Sequence, residues 1–98
     1  MINIDVKVYG GIAPIPIEVF IDKDTNTHED DIIIRSPISF KQNVELAPGE
    51  YAIIVSGKNP IEGRTEINIT GKDSDGNVIK MSKIKSVANY FASFILKI

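Results

Sequence analysis

The apolar residues of this chain are overwhelmingly β-branched: 19 isoleucines and 7 valines stand against only 2 leucines. β-branched side chains lose χ1 freedom in a helix and pack well on a pleated sheet. The skew therefore favours an all-β fold. With 98 residues, the chain is long enough for one core and too short for a core plus a deep enclosed active site. We expect a single domain over residues 1–98 that works through its surface.

Strict alternation of apolar and polar residues places the first strand. Over residues 2–9, Ile2, Ile4, Val6 and Val8 fall on one face and polar residues fall on the other. This pattern is typical of a half-buried strand.

Shorter runs place the later strands. A second strand is predicted over residues 15–22, beginning beside Pro14 and Pro16, which cannot donate to a sheet ladder. The triplet Ile32-Ile33-Ile34 is too short for a helix and predicts a short strand buried on both faces. Further strands are predicted over 38–46, with a bulge near 41–43 left open, over 51–55, over 65–69, and over 78–81 after a hairpin turn at 73–77.

The last segment, residues 84–98, fits two patterns. Its apolar residues match the spacing of one helix face, and Tyr90, Ala92, Phe94, Leu96 and Ile98 also match one face of a strand. A strand over about 89–97 is favoured because the other segments are β and this one can close a sheet. The predicted fold is a two-sheet antiparallel β-sandwich of about seven or eight strands, immunoglobulin-like or transthyretin-like.

The charges are few but unevenly distributed. A net charge of −2 gives no reason to expect nucleic-acid binding. Acids cluster between residues 22 and 31, whereas residues 76–98 carry four lysines and no acid. One interpretation is head-to-tail contact between copies of the chain, that is, self-association. The other is a solvated acidic loop with edge-strand lysines that deter aggregation.

The acidic stretch is the one candidate metal site. Hard cations such as Ca²⁺ take six to eight oxygen ligands, and one loop with several carboxylates can supply some of them. The alternative is an ordinary solvated loop, so we predict no bound metal. The weak candidate ligands are Asp22, Asp24, Asp30 and Asp31.

The sequence offers no support for catalysis. His28 is the only histidine and there is no cysteine, which excludes a multi-histidine or thiolate metal site within one chain. Phosphate-binding glycine loops, serine-nucleophile elbows and zinc-protease motifs do not occur. We therefore predict a protein that is not an enzyme, with no catalytic residues and no cofactor.

The start of the chain has neither a basic region nor an unbroken apolar run, so no signal peptide is predicted. No apolar segment of bilayer-spanning length occurs either, and no membrane span is expected. The location stays open: a particle or virion surface if the chain starts at Met1, or an extracellular surface if it belongs to a longer secreted chain.

Phe20 is the strongest candidate for a binding surface. It shares a strand face with Glu18 and Asp22, opposite the isoleucine and valine face. An exposed aromatic there can stack on a sugar ring or anchor a protein partner, unless both strand faces are covered. The candidate binding residues are Phe20, Glu29, Asp30 and Arg64.

The segment Leu46-Ala47-Pro48-Gly49-Glu50-Tyr51 predicts a structural corner between two strands. Proline sets φ and glycine permits unusual backbone conformations. A tyrosine at the start of the next strand can bury its ring while its hydroxyl finds a backbone partner. We expect Leu46, Pro48, Gly49 and Tyr51 to connect two sheets in this way.

The pattern L-x-P-G-x-Y, followed by alternating apolar residues, resembles the corner of bacterial and phage β-sandwich modules. These are transthyretin-like, carboxypeptidase-regulatory-like and Cna-B-like domains, and more loosely fibronectin type III. The resemblance covers about residues 40–55 and implies a structural role for Tyr51. It also implies a module of the kind found in adhesins, polysaccharide-binding enzymes and virus or injection-machine particles.

Two function hypotheses follow. The first is a non-catalytic structural or assembly module that joins a larger particle, such as a phage virion or an injection device, through protein–protein contacts. The second is a carbohydrate-binding or adhesive surface module that uses Phe20 or the loops at 22–31 and 59–64, with Ca²⁺ as a candidate ligand.

Overall fold

Eight β-strands, and no helix, occur in the described part of the chain in a computed structural model that describes residues 1–23 and 31–98. The strands are β1 (Ile2–Tyr9), β2 (Ile17–Lys23), β3 (Ile32–Ser36), β4 (Phe40–Val44), β5 (Glu50–Lys58), β6 (Arg64–Lys72), β7 (Val78–Lys85) and β8 (Asn89–Lys97).

The strands form two antiparallel sheets of four, and this confirms the predicted all-β sandwich. The first sheet has the order β4-β1-β6-β7 and the second has the order β3-β2-β5-β8. Among consecutive strands, β2 pairs with β3 and β6 pairs with β7 within one sheet, and the other described connections cross between the sheets. Strands distant in sequence therefore lie side by side, as β1 and β6 do from Ile2 opposite Gly71 to Tyr9 opposite Arg64.

The core lies between the inner faces of the two sheets. Alternate residues of each central strand point into it, as the period-two pattern requires. Burial of these apolar side chains is the main favourable contribution to folding. The fully buried set includes Ile2, Ile4, Val6, Ile17, Val19, Ile21, Ile53, Val55, Ile67 and Ile69.

The terminal segment is a strand, as predicted. Strand β8 pairs with β5 along its whole length, from Lys97 opposite Glu50 to Asn89 opposite Lys58. Its burial alternates without exception, with Tyr90, Ala92, Phe94 and Leu96 inside. The helical spacing of this segment is therefore coincidental.

Two details of the strand predictions are wrong, and the bulge that the sequence left open does not occur. Strand β3 is not buried on both faces, because it is the edge of its sheet and its outer face is uncovered, leaving Ile33 52% exposed. Strand β4 contains no bulge, since its residues oppose those of β1 one to one from Phe40 to Val44. Strand β2 begins at Ile17 rather than Ile15, after the proline-containing lead-in.

The corner between β4 and β5 connects the two sheets as predicted. Tyr51 is 4% exposed, and its hydroxyl donates a hydrogen bond to the carbonyl of Ala47. Leu46 packs against the core from a partly buried position. Gly49 and Ile98 exchange two backbone hydrogen bonds of 3.1 and 2.8 Å, which attach the end of the chain to the corner.

Candidate functional site

The outer face of the second sheet carries a group of apolar side chains that we call the apolar face. Phe20 and Ile54 are half-buried within it. Around them, Ile33, Phe91 and Ile95 are 52%, 62% and 74% exposed. The apolar face consists of Phe20, Ile33, Ile54, Phe91 and Ile95.

The strand register makes these side chains neighbours. Phe20 lies opposite Ile33 on one side and Ile54 on the other. Ile54 lies opposite Ser93, and Phe91 and Ile95 flank Ser93 on the same face of β8. Neighbouring strands are about 4.8 Å apart, so the five side chains form one continuous surface across the sheet.

Charged and polar residues border the apolar face at both ends. At one end the Nε of Arg35 donates a hydrogen bond of 3.0 Å to Glu18. At the other end Asp22, Glu50 and Lys97 lie on the same outer face. An apolar centre with a polar rim is the usual composition of a protein-binding surface.

The outer face of the first sheet differs in character. It carries a hydrogen bond between the side chains of Asn3 and Asn43 and ion pairs of 3.9–4.0 Å from Asp5 to Lys41 and Lys7. Exposed apolar side chains of this face, Val78 and Ile84, lie on its edge strand β7. Val78 and Ile84 lie near opposite ends of β7, so a continuous apolar surface across the sheet is found on one outer face.

A second apolar surface lies at one end of the sandwich, which we call the tip. Four connections meet there: residues 10–16, 37–39, 59–63 and 86–88. Each contributes at least one exposed β-branched side chain. The exposed fractions are 85% for Ile12, 49% for Ile15, 67% for Ile38, 93% for Ile61 and 61% for Val87.

Buried hydrogen bonds hold two of the tip connections together. The amide of Asn59, a residue 4% exposed, donates to the carbonyls of Lys85 and Val87 at 2.9 and 2.7 Å. Its carbonyl oxygen accepts from the hydroxyl of Thr65 at 2.6 Å, and its backbone N–H donates to Ala88. Asn59 therefore fixes the 59–63 and 86–88 connections relative to each other.

The other two tip connections enclose a shallow hollow of about 260 Å³. Ile12 and Ala13 line one side of it, and Pro37 and Ile38 line the other, above Val8. The hollow has an apolar lining and no titratable side chain. It can receive an apolar group and offers no machinery for acid–base chemistry.

The structure separates the candidate binding residues. Phe20 lies in the apolar face, on the side of β2 where its alternation places it. Arg64 lies on the first sheet, with its guanidinium 4.2 Å from the ring centre of Tyr9 and its Nε 3.0 Å from Glu66. Phe20 and Arg64 thus belong to opposite outer faces. Glu29 and Asp30 lie outside the described residues.

The calcium hypothesis is tested only in part. Asp22 lies at the end of β2 and Asp31 lies just before β3, whereas Asp24, His28 and Asp30 fall outside the described residues. Among residues 1–23 and 31–98, no three acidic, histidine or cysteine side chains form a group suited to a metal ion.

Two side chains have shifted pKa values, and both have structural causes. Backbone and side-chain hydrogen bonds from Asn77, with backbone bonds from Asp75 and Gly76, lower the pKa of Asp73 in the β6–β7 turn. Burial raises the pKa of Tyr90, whose ring lies in the core. Neither group belongs to the apolar face.

The sequence patterns found Phe20 but missed the rest of the apolar face and the whole tip. The available signal was isoleucine placed outside the alternating runs, as Ile12 and Ile61 are within glycine- and proline-containing connections. An apolar residue at such a position has no assigned place in the core. Its exposure is then the simplest expectation.

The fold defines the class of this protein: an all-β protein with two antiparallel four-stranded sheets packed as a sandwich. No protein-family model, curated protein or solved structure matches the chain. Within the part of the chain that the structure describes, no helix has the length and hydropathy needed to cross a membrane.

Proposed function

We propose that this chain is a non-catalytic assembly module that joins a larger particle by protein–protein contact through the apolar face. The observation that carries the proposal is the asymmetry between the two outer faces. One joins Phe91 and Ile95 with three further apolar side chains in one surface, whereas the exposed Val78 and Ile84 of the other lie apart on its edge strand. Contiguous exposed apolar surface on a small protein is typical of an interaction site.

The composition of the apolar face fits a protein partner. Its two phenylalanines are large and rigid and supply much contact area for little loss of side-chain entropy. The Glu18–Arg35 pair at its border is solvent-exposed, so it contributes more to orientation than to affinity. We expect the partner surface to be apolar at its centre and to meet Phe91 directly.

The free edge of β8 extends the same surface. Both backbone groups of Ile98 bond to Gly49, and in an antiparallel pair such bonds recur at every second residue. The backbone N–H and C=O groups of Phe91, Ser93 and Ile95 therefore point away from β5. Once Lys83 releases the carbonyl of Ser93, a partner strand can add to this edge while its neighbouring residues cover the apolar face. A phage virion or a contractile injection device is the particle we propose first, on the basis of the resemblance of the corner at Leu46 to Tyr51.

The first test is the association state of the purified protein, measured by size-exclusion chromatography with light scattering at low and high salt. We expect association that persists in high salt, because burial of apolar surface is not screened. A double variant, Phe91→Asp with Ile95→Asp, should be monomeric.

The matched control for this test is Ile84→Asp with Val78→Asp on the other outer face. These residues are 63% and 75% exposed, close to the values for Phe91 and Ile95, so the two double variants introduce the same charge at the same exposure. The control should associate like the wild type. A protein that is monomeric in every condition, and that is recovered from its source without larger assemblies, would contradict the proposal.

A carbohydrate-binding or adhesive module is the second candidate, favoured by the surroundings of Phe91. Its ring lies between Asn89 and Ser93 along β8 and opposite Ser56, so an exposed aromatic is combined with hydrogen-bonding groups. Sugars are commonly bound by such a combination. A glycan array probed with and without a chelator tests this candidate and its calcium dependence, and silence in both conditions removes it.

A further inference from the structure

We propose that the tip is a docking site for the surface of an anionic lipid bilayer. This inference concerns a different part of the molecule from the apolar face and goes beyond the proposed assembly function. It rests on three observations: the exposure of the apolar side chains at the tip, the charge around them, and the rigidity of the loops that carry them.

The apolar side chains of the tip come from four different connections at one end of the sandwich. Ile61 and Ile12 are 93% and 85% exposed, and Ile38 and Val87 project from two further loops. A protein partner would have to match the positions of all four connections and the hollow between two of them. The interfacial region of a bilayer, by contrast, accommodates spaced apolar side chains without matching their shape.

The charge around the tip is opposite to that of the chain. Residues 7–18, 35–39, 58–66 and 83–89 form the tip and the adjoining strand ends, and they carry six basic and three acidic side chains. The whole chain has a net charge of −2. Glu18 lies 3.0 Å from Arg35 and Glu66 lies 3.0 Å from Arg64, so these two pairs cancel two acids and two bases and leave four basic groups and Glu62.

Two lysines of the tip, Lys58 and Lys85, remain to face a partner, because Lys7 pairs with Asp5 and Lys83 donates to the carbonyl of Ser93. Lys58 and Lys85 lie at the two strand ends that adjoin the connections 59–63 and 86–88. Lysine near an anionic bilayer is attracted to it, and the attraction adds to that of inserted apolar groups. The combination of projecting isoleucines and nearby lysines therefore favours an anionic lipid surface over a neutral one.

The opposite end of the sandwich carries acidic side chains, and their charge orients the molecule relative to the bilayer. Among the described residues there, acidic side chains occur at the β4–β5 corner and in the β6–β7 turn. A negative surface potential repels this end while it attracts the tip. The acidic residues are Asp22, Asp31, Glu45, Glu50, Asp73 and Asp75.

The tip is organised before binding. The hydrogen bonds of Asn59 fix the 59–63 and 86–88 connections relative to each other. Pro37 and Pro60 restrict the backbone of the 37–39 and 59–63 connections. Tyr9, 37% exposed beneath the guanidinium of Arg64, lies at the strand end just behind the loops. An amphipathic tyrosine at that depth matches the headgroup region of a bilayer into which the loops insert.

The test is vesicle flotation with the full chain at low ionic strength. Vesicles of phosphatidylcholine alone are compared with vesicles that contain about one fifth phosphatidylserine. We expect binding to the anionic vesicles, weaker binding to the neutral ones, and release by high salt. The variant Ile12→Asp with Ile61→Asp should bind at least tenfold more weakly, and Lys58→Ala about fivefold more weakly.

One further double variant separates this inference from the proposed function. Phe91→Asp with Ile95→Asp introduces the same two charges outside the tip and should bind the anionic vesicles like the wild type. Circular dichroism checks that the tip variant is folded. Because Ile12 and Ile61 are exposed, their replacement should leave the fold intact.

Three results would overturn the lipid assignment. One is the absence of the wild-type protein from both vesicle fractions. Another is equal loss of binding in a folded tip variant and in the Phe91→Asp with Ile95→Asp variant. The third is a tip variant that floats normally but no longer self-associates in chromatography, which would make the tip a protein interface.

Discussion

The hydroxyl of Tyr51 donates a hydrogen bond of 2.7 Å to the carbonyl oxygen of Ala47, four residues earlier in the chain. The bond closes the corner through which the chain passes from the first sheet to the second. The ring of Tyr51 is 4% exposed, so the residue fixes the corner and fills the core at once.

A Tyr51→Phe variant should therefore lose about 1 kcal/mol of unfolding free energy, the usual contribution of one such hydrogen bond. Urea denaturation followed by circular dichroism measures the loss. Association through the apolar face should be unchanged, because Phe91 and Ile95 lie on the opposite side of the sheet from the ring. Loss of association in a fully folded variant would show that the corner contributes to binding.

Removal of the Asn59 side chain should be more costly. The variant Asn59→Ala leaves the carbonyls of Lys85 and Val87 and the hydroxyl of Thr65 without their partner, and we expect a loss of roughly 2–4 kcal/mol. Asn89→Ala, at an exposed asparagine on the same end of the molecule, should stay within about 0.5 kcal/mol of the wild type. Equal losses in the two variants would contradict a central role for Asn59.

Lys83 should protect the free edge of β8. Its side chain points inward from the edge strand β7, donates a hydrogen bond of 2.5 Å to the carbonyl of Ser93, and lies 5.0 Å from the ring centre of Phe94. An inward-pointing lysine at a sheet edge obstructs pairing with a foreign strand.

A Lys83→Ala variant should consequently aggregate faster, as followed by light scattering during incubation at high concentration. Lys80→Ala is the matched control, since Lys80 lies on the same strand but is directed to solvent. If both variants aggregate at the same rate, net charge rather than the position of Lys83 is responsible.

Acid should weaken the β6–β7 turn through Asp73. Hydrogen bonds from Asn77, together with backbone bonds from Asp75 and Gly76, hold the pKa of Asp73 below its ordinary value of 3.8 in the folded chain. A carboxyl group whose pKa is lower in the folded chain than in the unfolded chain stabilises the fold at pH values above its unfolded pKa. This contribution disappears as the pH falls through the pKa of the folded chain. The stability advantage of the wild type over Asp73→Ala should therefore shrink below about pH 4.

Denaturant melts at a series of pH values measure that advantage, and an NMR titration of the Asp73 carboxyl locates its pKa directly. Ser74→Ala, in the same turn, should follow the wild type across the whole pH range. A constant difference between wild type and Asp73→Ala at all pH values would show that the carboxylate charge plays no part.

Much of the fold is predictable from local patterns. Strands β1 and β8 begin and end at the predicted residues, and the corner at Leu46 to Tyr51 connects the sheets as expected. These features depend on period-two alternation and on the turn chemistry of proline and glycine, both of which act over a few residues. The bulge left open in β4 and the buried outer face expected for β3 depended on partners distant in sequence, and neither occurs.

Ile53 and Ile54 show where sequence information ends. They are adjacent and chemically identical, and alternation alone determines that they point to opposite faces of β5. Only the packing of the first sheet against one of those faces makes Ile53 fully buried, while Ile54 becomes part of the apolar face. An all-β chain, most of its strands and its corner follow from the amino-acid sequence, because they depend on short-range conformational preference. Which surfaces stay uncovered follows from the packing of the sheets, because burial depends on how distant strands are brought together.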